Sequence, residues 1–255
     1  MRKLSLSAKV LRGIGFMMTW AALSGGFPAV AAETEEQKPV WRIDFSDSDT
    51  LKKEWEFRGG KFRVPKTKFF AVGNDEGSDG SVLVVEADKS TGLLVTLPEN
   101  VDLERYPIMR WRWRIVRRLS LADGQPDPDD QAAVVYLGDG SSFRQRCVGY
   151  RWEHNTEVGK SGTRHYAGGL MTVKWFCVRN RLHPLNEWCV EERDVFTDYR
   201  EAFGDPPNKV FALSIGANSQ YTRSSTRVEI DYIEFVARDP ENGEAGDTSP
   251  GARTE

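Results

Sequence analysis

Several enzyme signatures are missing from this sequence. It has no Gly-x-Ser-x-Gly elbow, no Walker loop and no dinucleotide-binding glycine fingerprint, so the commonest hydrolase, nucleotidase and oxidoreductase signals are absent. Histidine and cysteine are scarce, three of each. His154, His165, His183 and Cys147 do not have the ligand spacing of a zinc site. Excess positive charge is also lacking: 35 Lys and Arg face 38 Asp and Glu, for a formal net charge of −3. A mildly acidic chain is poorly suited to phosphate backbones, so no nucleic-acid partner is expected. Beyond Leu23 no apolar run approaches membrane length, and helical periodicity is rare.

The 255 residues comprise three unlike pieces. Arg2, Lys3, Lys9 and Arg12 precede the apolar stretch Gly13 to Leu23, and Ala29-Val30-Ala31 offers small residues for cleavage. This pattern reads as a secretory signal peptide over residues 1–31, with no membrane span once it is removed. The mature protein is then expected to be periplasmic or secreted. Residues 239–255 contain no large apolar side chain and carry five acids against one arginine. Such a segment cannot bury enough surface to offset its ordering entropy, so it reads as a disordered acidic tail. Residues 37–238 remain as a single β-sandwich domain.

Within that region, runs rich in Val, Ile, Phe, Trp and Tyr alternate with Gly, Asn, Asp and Pro clusters. The pattern predicts an all-β antiparallel, jelly-roll-like sandwich. Expected strands include residues 41–45, 62–64, 68–72, 82–87, 92–96, 108–116, 132–137, 148–153, 171–178, 187–194, 209–217 and 227–236. Helical turns are expected at 47–53 and 195–203, the second stopped by Gly204-Asp205-Pro206. Segments 170–179 and 187–196 read as a hairpin centred on His183, which sets Cys177 opposite Cys189 and makes a disulfide there one expectation. The alternative is three reduced, buried cysteines.

The loudest local signal is Met109-Arg110-Trp111-Arg112-Trp113-Arg114-Ile115. In a strand, Trp111 and Trp113 share one face and Arg110, Arg112 and Arg114 the other. The tryptophans read as core rather than a sugar-stacking platform. The arginines read as ion-paired with acids such as Glu229, Asp231 and Glu234, or alternatively as a cationic face for an anionic ligand. The acidic loop Asp123 to Asp130 is either solvated or a calcium site, and Asp44 with Asp231 is a second possible structural calcium pair; no other cofactor is expected. A glycine-rich stretch from Val148 to Gly169 reads as a strand running into a binding loop, with Trp152, His154, Asn155, Arg164, His165 and Tyr166 as candidate ligand contacts.

Several motifs together resemble the bacterial family known as domain of unknown function 3047. They are the Arg110–Ile115 run, Asp129-Asp130 leading into Ala132–Tyr136, Gly149-Tyr150-Arg151-Trp152, Asp198-Tyr199-Arg200, Phe211–Ala217 and Ile230–Phe235. The sequence departs from that family's pattern at Val134, where members tend to carry arginine, and at Asn218, Gln220 and Tyr221, where they tend to carry acids. More distantly the pattern is similar to galactose-binding-domain-like jelly rolls and carbohydrate-binding modules. The resemblance implies a fold and brings no activity with it.

The leading expectation is an exported, non-catalytic binding protein of the cell envelope, for a glycan or another polar or anionic ligand. One alternative is a carboxylate-dependent glycan hydrolase or lyase using acids near Glu153 and Glu191. Another is a structural or assembly factor of the envelope that uses one sheet face as a protein interface.

Overall fold

A computed structural model describes residues 38–239 apart from 46–50, 52, 60–62, 74–79 and 142–143. The expected signal peptide 1–31, the expected disordered tail beyond Asp239 and most of the turn expected at 47–53 lie outside the described residues. All described residues belong to one compact unit, Gln37–Glu255. None of their helices is long and apolar enough to cross a membrane.

The expected β-sandwich is what forms. One sheet contains β1 (Trp41–Ile43), β3 (Lys68–Val72), β4 (Val82–Asp88), β6 (Ile108–Arg117), β11 (Cys189–Asp194) and β13 (Ser225–Val236). The other contains β2 (Glu56–Arg58), β5 (Thr91–Thr96), β7 (Gln131–Ser141), β8 (Arg144–Trp152), β9 (Ser161–Tyr166), β10 (Met171–Arg179) and β12 (Ala212–Asn218). The first runs β11-β6-β13-β4-β3, with β1 beside β13, and the second runs β2-β5-β12-β7-β8-β10-β9. Every pairing between these strands is antiparallel except β8 with β10.

Strand alternation explains the core. Met109, Trp111, Trp113 and Ile115 of β6 are buried beside Val228, Ile230, Ile233 and Phe235 of β13. The opposing sheet contributes Val148, Tyr150 and Trp152 from β8. Trp111 meets Tyr150 at 5.3 Å and Trp113 meets Trp152 at 5.4 Å between ring centroids. Offset and edge contacts of this kind add to the gain from burial alone. Three of the four polar tips are satisfied at the sandwich margin, where Trp113 Nε1 donates to Glu191, Trp152 Nε1 to the Asn180 carbonyl, and the Tyr150 hydroxyl to Asp198, whereas the Trp111 indole nitrogen is buried without a partner. One helix, α1 (Val195–Phe203), closes the margin. Asp194 caps its first turn by accepting from Thr197 N, and Gly204, at φ 82°, ends it in the left-handed region.

The opposite face of β6 carries the arginines, and acids meet all three. Arg110 pairs with Glu192, Arg112 with Asp231 and Arg114 with Glu229, each at 2.6 Å. The β13–β6 register shifts between Ile230 and Tyr232, so Asp231 has no cross-strand partner there. Its carboxylate turns onto Arg112 instead. Trp188 lies over the Arg112 and Arg114 guanidinium groups. The three arginines thus follow the ion-paired reading, their mutual repulsion relieved by carboxylates from neighbouring strands.

The expected hairpin does not form. β10 lies in one sheet and β11 in the other, so residues 180–188 cross between sheets rather than turning one strand back on itself. Cys177 Sγ reaches the Thr156 and Arg179 carbonyls, whereas Cys189 Sγ reaches the Trp113 carbonyl. All three cysteines are free, so the Cys177–Cys189 disulfide is corrected. Two further differences are local. Arg63 and Val64 form a turn, and residues 161–166, read as loop, form β9 at a sheet edge.

Two measurements check this packing. Thiol titration of the denatured, unreduced protein is expected to give three thiols per chain, where a disulfide would leave one. Glu229→Ala is expected to cost about 3 kcal/mol in denaturant unfolding by removing the buried carboxylate that Arg114 and Arg227 share. The double variant Arg114→Met/Glu229→Leu is expected to recover most of that loss.

Candidate functional site

The outward face of the seven-stranded sheet carries a cleft of about 840 Å³. Alternation places Val134, Tyr136 and Gly138 of β7, Gln145 and Cys147 of β8, and Met171 and Val173 of β10 on its floor. The cleft stays open because large side chains there face glycines across the strands. Tyr136 pairs with Gly149 and Leu93 with Gly216, and nearer the edge of the same sheet Trp175 pairs with Gly162. A β-carbon on Gly149 would lie 2.4 Å from the Tyr136 ring, and one on Gly216 would lie 2.4 Å from Leu93. These side chains therefore recline across the sheet instead of standing up into the cleft.

A polar network is set into this floor. Arg151 is only 3% exposed, and its guanidinium donates toward Asp129, the Tyr136 hydroxyl and the Tyr166 hydroxyl at 3.2–3.4 Å. Tyr166 in turn donates to the Asp129 carboxylate at 2.7 Å. Gln131 also donates to that carboxylate, and Asn218 Nδ2 to the Asp129 carbonyl. Burial opposes the charge of Arg151, but the surrounding acceptors more than offset it and hold its pKa above the usual value. Burial raises the Tyr136 and Tyr166 phenols, so both remain protonated donors.

Glu153 lies beside Arg151 at 3.6 Å, and its Oε2 has no hydrogen-bond partner. Burial pushes its pKa up to about 8; Asp127 and Asp129 add to that rise, and Arg151 opposes it.

In the acidic loop Asp123 is exposed beside Arg181, whereas Asp127 and Asp130 serve as clamps on neighbouring backbone. Asp127 accepts from the Asn155 and Thr156 amides, and Asp130 from the Tyr221 and Thr222 amides. Asp129, between them, holds Tyr166. The loop thus ties two neighbouring loops to the rim of the cleft.

Of the residues expected to touch ligand, Tyr166 lines the cleft. Trp152 is core at 3% exposure, packed on Trp113 and His183, so no ligand stacks on it. His154 is buried, which lowers its pKa. Asn155 spends its amide on the Ala122 and Gln125 carbonyls and on Arg181. Arg164 is exposed and pairs with Val173 in register, whereas His165 bonds Thr172. Arg110, Arg112 and Arg114 lie on the other sheet in their ion pairs. Asp44 is exposed just beyond β1, while Asp231 is committed to Arg112. Among the described residues no three His, Cys, Asp or Glu side chains are grouped to hold a metal ion.

The family profile described as protein of unknown function (DUF3047) matches residues 53–234. The chain belongs to the DUF3047 family. No curated protein matches it. This DUF3047 chain is similar in structure to the family 11 carbohydrate-binding module of the cellulase Lic26A-Cel5E of Clostridium thermocellum, at 11% identity and TM-score 0.41, covering 79% of this chain and 95% of that one. It is also similar to the mannan-recognising module TmCBM27, at 12% identity and TM-score 0.35, covering 79% and 98%. A third similar structure is the family 12 xyloglucanase of Bacillus licheniformis, at 11% identity and TM-score 0.44, covering 79% and 99%. Val134, Asn218, Gln220 and Tyr221 all line the cleft. Sequence reasoning missed Tyr136 and Arg151 as site residues. The signal available was the outward alternation of β7 and β8, with Gly149 opposite Tyr136.

Glu153 yields a pH prediction. It holds its proton more tightly folded than unfolded, so that proton's stabilisation is complete below about 4.5 and is lost as pH rises through about 8. Glu153→Gln is expected to flatten this decline. Its advantage over wild type should grow by up to about 1.4 kcal/mol per pH unit across that window, measured by urea unfolding at each pH.

Proposed function

We propose that this protein is an exported, non-catalytic binding protein of the cell envelope and that its ligand, a carbohydrate chain, lies in the cleft on the seven-stranded sheet. The observation that carries the reading is the cleft itself. Tyr136, Tyr166 and Tyr221 offer flat rings with polar tips, a combination that suits the apolar faces and hydroxyl edges of sugars. Gln131, Asn218, Gln220 and Asp129 supply amide and carboxylate groups at one end, where they can fix orientation. The aliphatic floor between these groups excludes water. The signal-like residues 1–31 support export, with the periplasm as the proposed destination.

The disposition of the acids favours binding over hydrolysis. Asp129 is occupied by Tyr166 and Arg151, and Asp139 by the Tyr199 hydroxyl and the Asn208 amide. Glu153 and Glu191, the pair that the hydrolase alternative requires, do not face one cleft. Glu153 is buried next to Arg151 in one sheet, whereas Glu191, in the other, is held by Arg179 and Trp113. A glycosidase needs two carboxyl groups converging on one bond, one of them free to give up a proton.

The test is a glycan array followed by calorimetry on the hits. Tyr136→Ala is expected to weaken binding at least tenfold, about 1.4 kcal/mol. Gly149→Val, which drives the Tyr136 ring off the floor, should do the same. Absence of any enriched glycan, or wild type and Tyr136→Ala binding alike, overturns the reading.

A further inference from the structure

We infer that the cleft takes an amphiphile, a saccharide carrying a hydrocarbon tail, with the sugar and the tail held at opposite ends. This rests on the carbohydrate reading and specifies its ligand class. Strand register defines the two ends. Thr91 of β5 and Gln131 of β7 both pair with Asn218 of β12, which places the amides, Asp129 and Tyr221 at one end. At the far end of the same strands Gly138 pairs with Ala212, and Leu213 pairs with Thr96 just before Leu97. Val210 and Phe211 lead into Ala212, and Met171 enters from β10 opposite Gln145.

The far end is therefore aliphatic. Among the described residues its polar side chains are Asp139, spent on Tyr199 and Asn208, Tyr166, which pairs with Met171 but turns its hydroxyl onto Asp129, and Gln145. The apolar surface also continues to the rim, where Leu97 is 58% and Val210 72% exposed. Sugar hydroxyls placed there would lose water and find few partners, at a cost per group that binding rarely recovers. A hydrocarbon chain loses nothing there and covers both rim side chains. A uniformly polar glycan explains only half of the lining, and a fatty acid alone leaves the amide end without a partner.

The test is calorimetry of the full mature chain with maltose, with hexyl, octyl, decyl and dodecyl maltosides below their micelle concentrations, and with laurate. Affinity is expected to rise with tail length, by up to about fifteenfold for each two methylenes that become fully buried at ~0.8 kcal/mol apiece, and to level off once the aliphatic end is filled. Leu97→Asp and Val210→Asp, both at exposed positions, should flatten that dependence without lowering the thermal midpoint. Affinities independent of tail length, or no binding of any maltoside, overturn the amphiphile and leave the carbohydrate reading to the glycan array. Laurate binding as tightly as dodecyl maltoside overturns the sugar half, and with it the carbohydrate reading.

Discussion

β6 is the strand on which both layers depend, and the constraint it imposes is alternation. Side chains two residues apart share a face, so one ten-residue strand directs Met109, Trp111, Trp113 and Ile115 into the sandwich and Arg110, Arg112 and Arg114 out of it. Inside, the two indoles reach across to Tyr150 and Trp152 and fix how β8 sits over β6. Outside, the arginines require acids on either side, and β13 and β11 supply them. The bulge that frees Asp231 for Arg112 is part of that match.

The same rule, applied to β7 and β8, makes the cleft. Inward residues Val135, Leu137, Val148 and Tyr150 build core, and the residues between them face out. Glycines opposite Tyr136, Leu93 and Trp175 let those side chains lie down, so the face becomes a smooth hollow instead of a ridge. A buried arginine in such a floor is stable only because acceptors surround it, and these come from Asp129, Tyr136 and Tyr166. The site and its scaffold therefore share side chains: the hydroxyls that would meet a ligand also keep Arg151 paired.

Carboxylates here serve mainly as structural acceptors. Asp127, Asp130, Asp139 and Asp194 each accept from backbone amides, at loops or at a helix start. In an acidic protein with many connecting loops, such caps satisfy backbone groups that lie beyond the ladders. They also account for the acids that converge near the cleft. Glu153 is the exception, buried without a donor on Oε2 and consequently proton-binding near neutral pH.

What the sequence alone determined is what period two and local turn chemistry encode. It separated the two faces of β6, favoured pairing of its arginines with acids from another strand, placed the helix 195–203 with its glycine stop, and carried the motifs of the DUF3047 family. Alternation, however, says which residues of a strand share a face and nothing about which sheet or neighbour that strand joins. Only the tertiary structure decided that β10 runs parallel beside β8 while β11 joins the other sheet, and this separates Cys177 from Cys189. It likewise turned Trp152 into the core, recruited residues 161–166 as an edge strand, and gathered Tyr136, Arg151, Tyr166, Asn218 and Asp129 around one cleft. Those residues are far apart in the chain, and the free energy that brings them together comes from strand pairing and burial across the sandwich, which no local stretch of sequence contains.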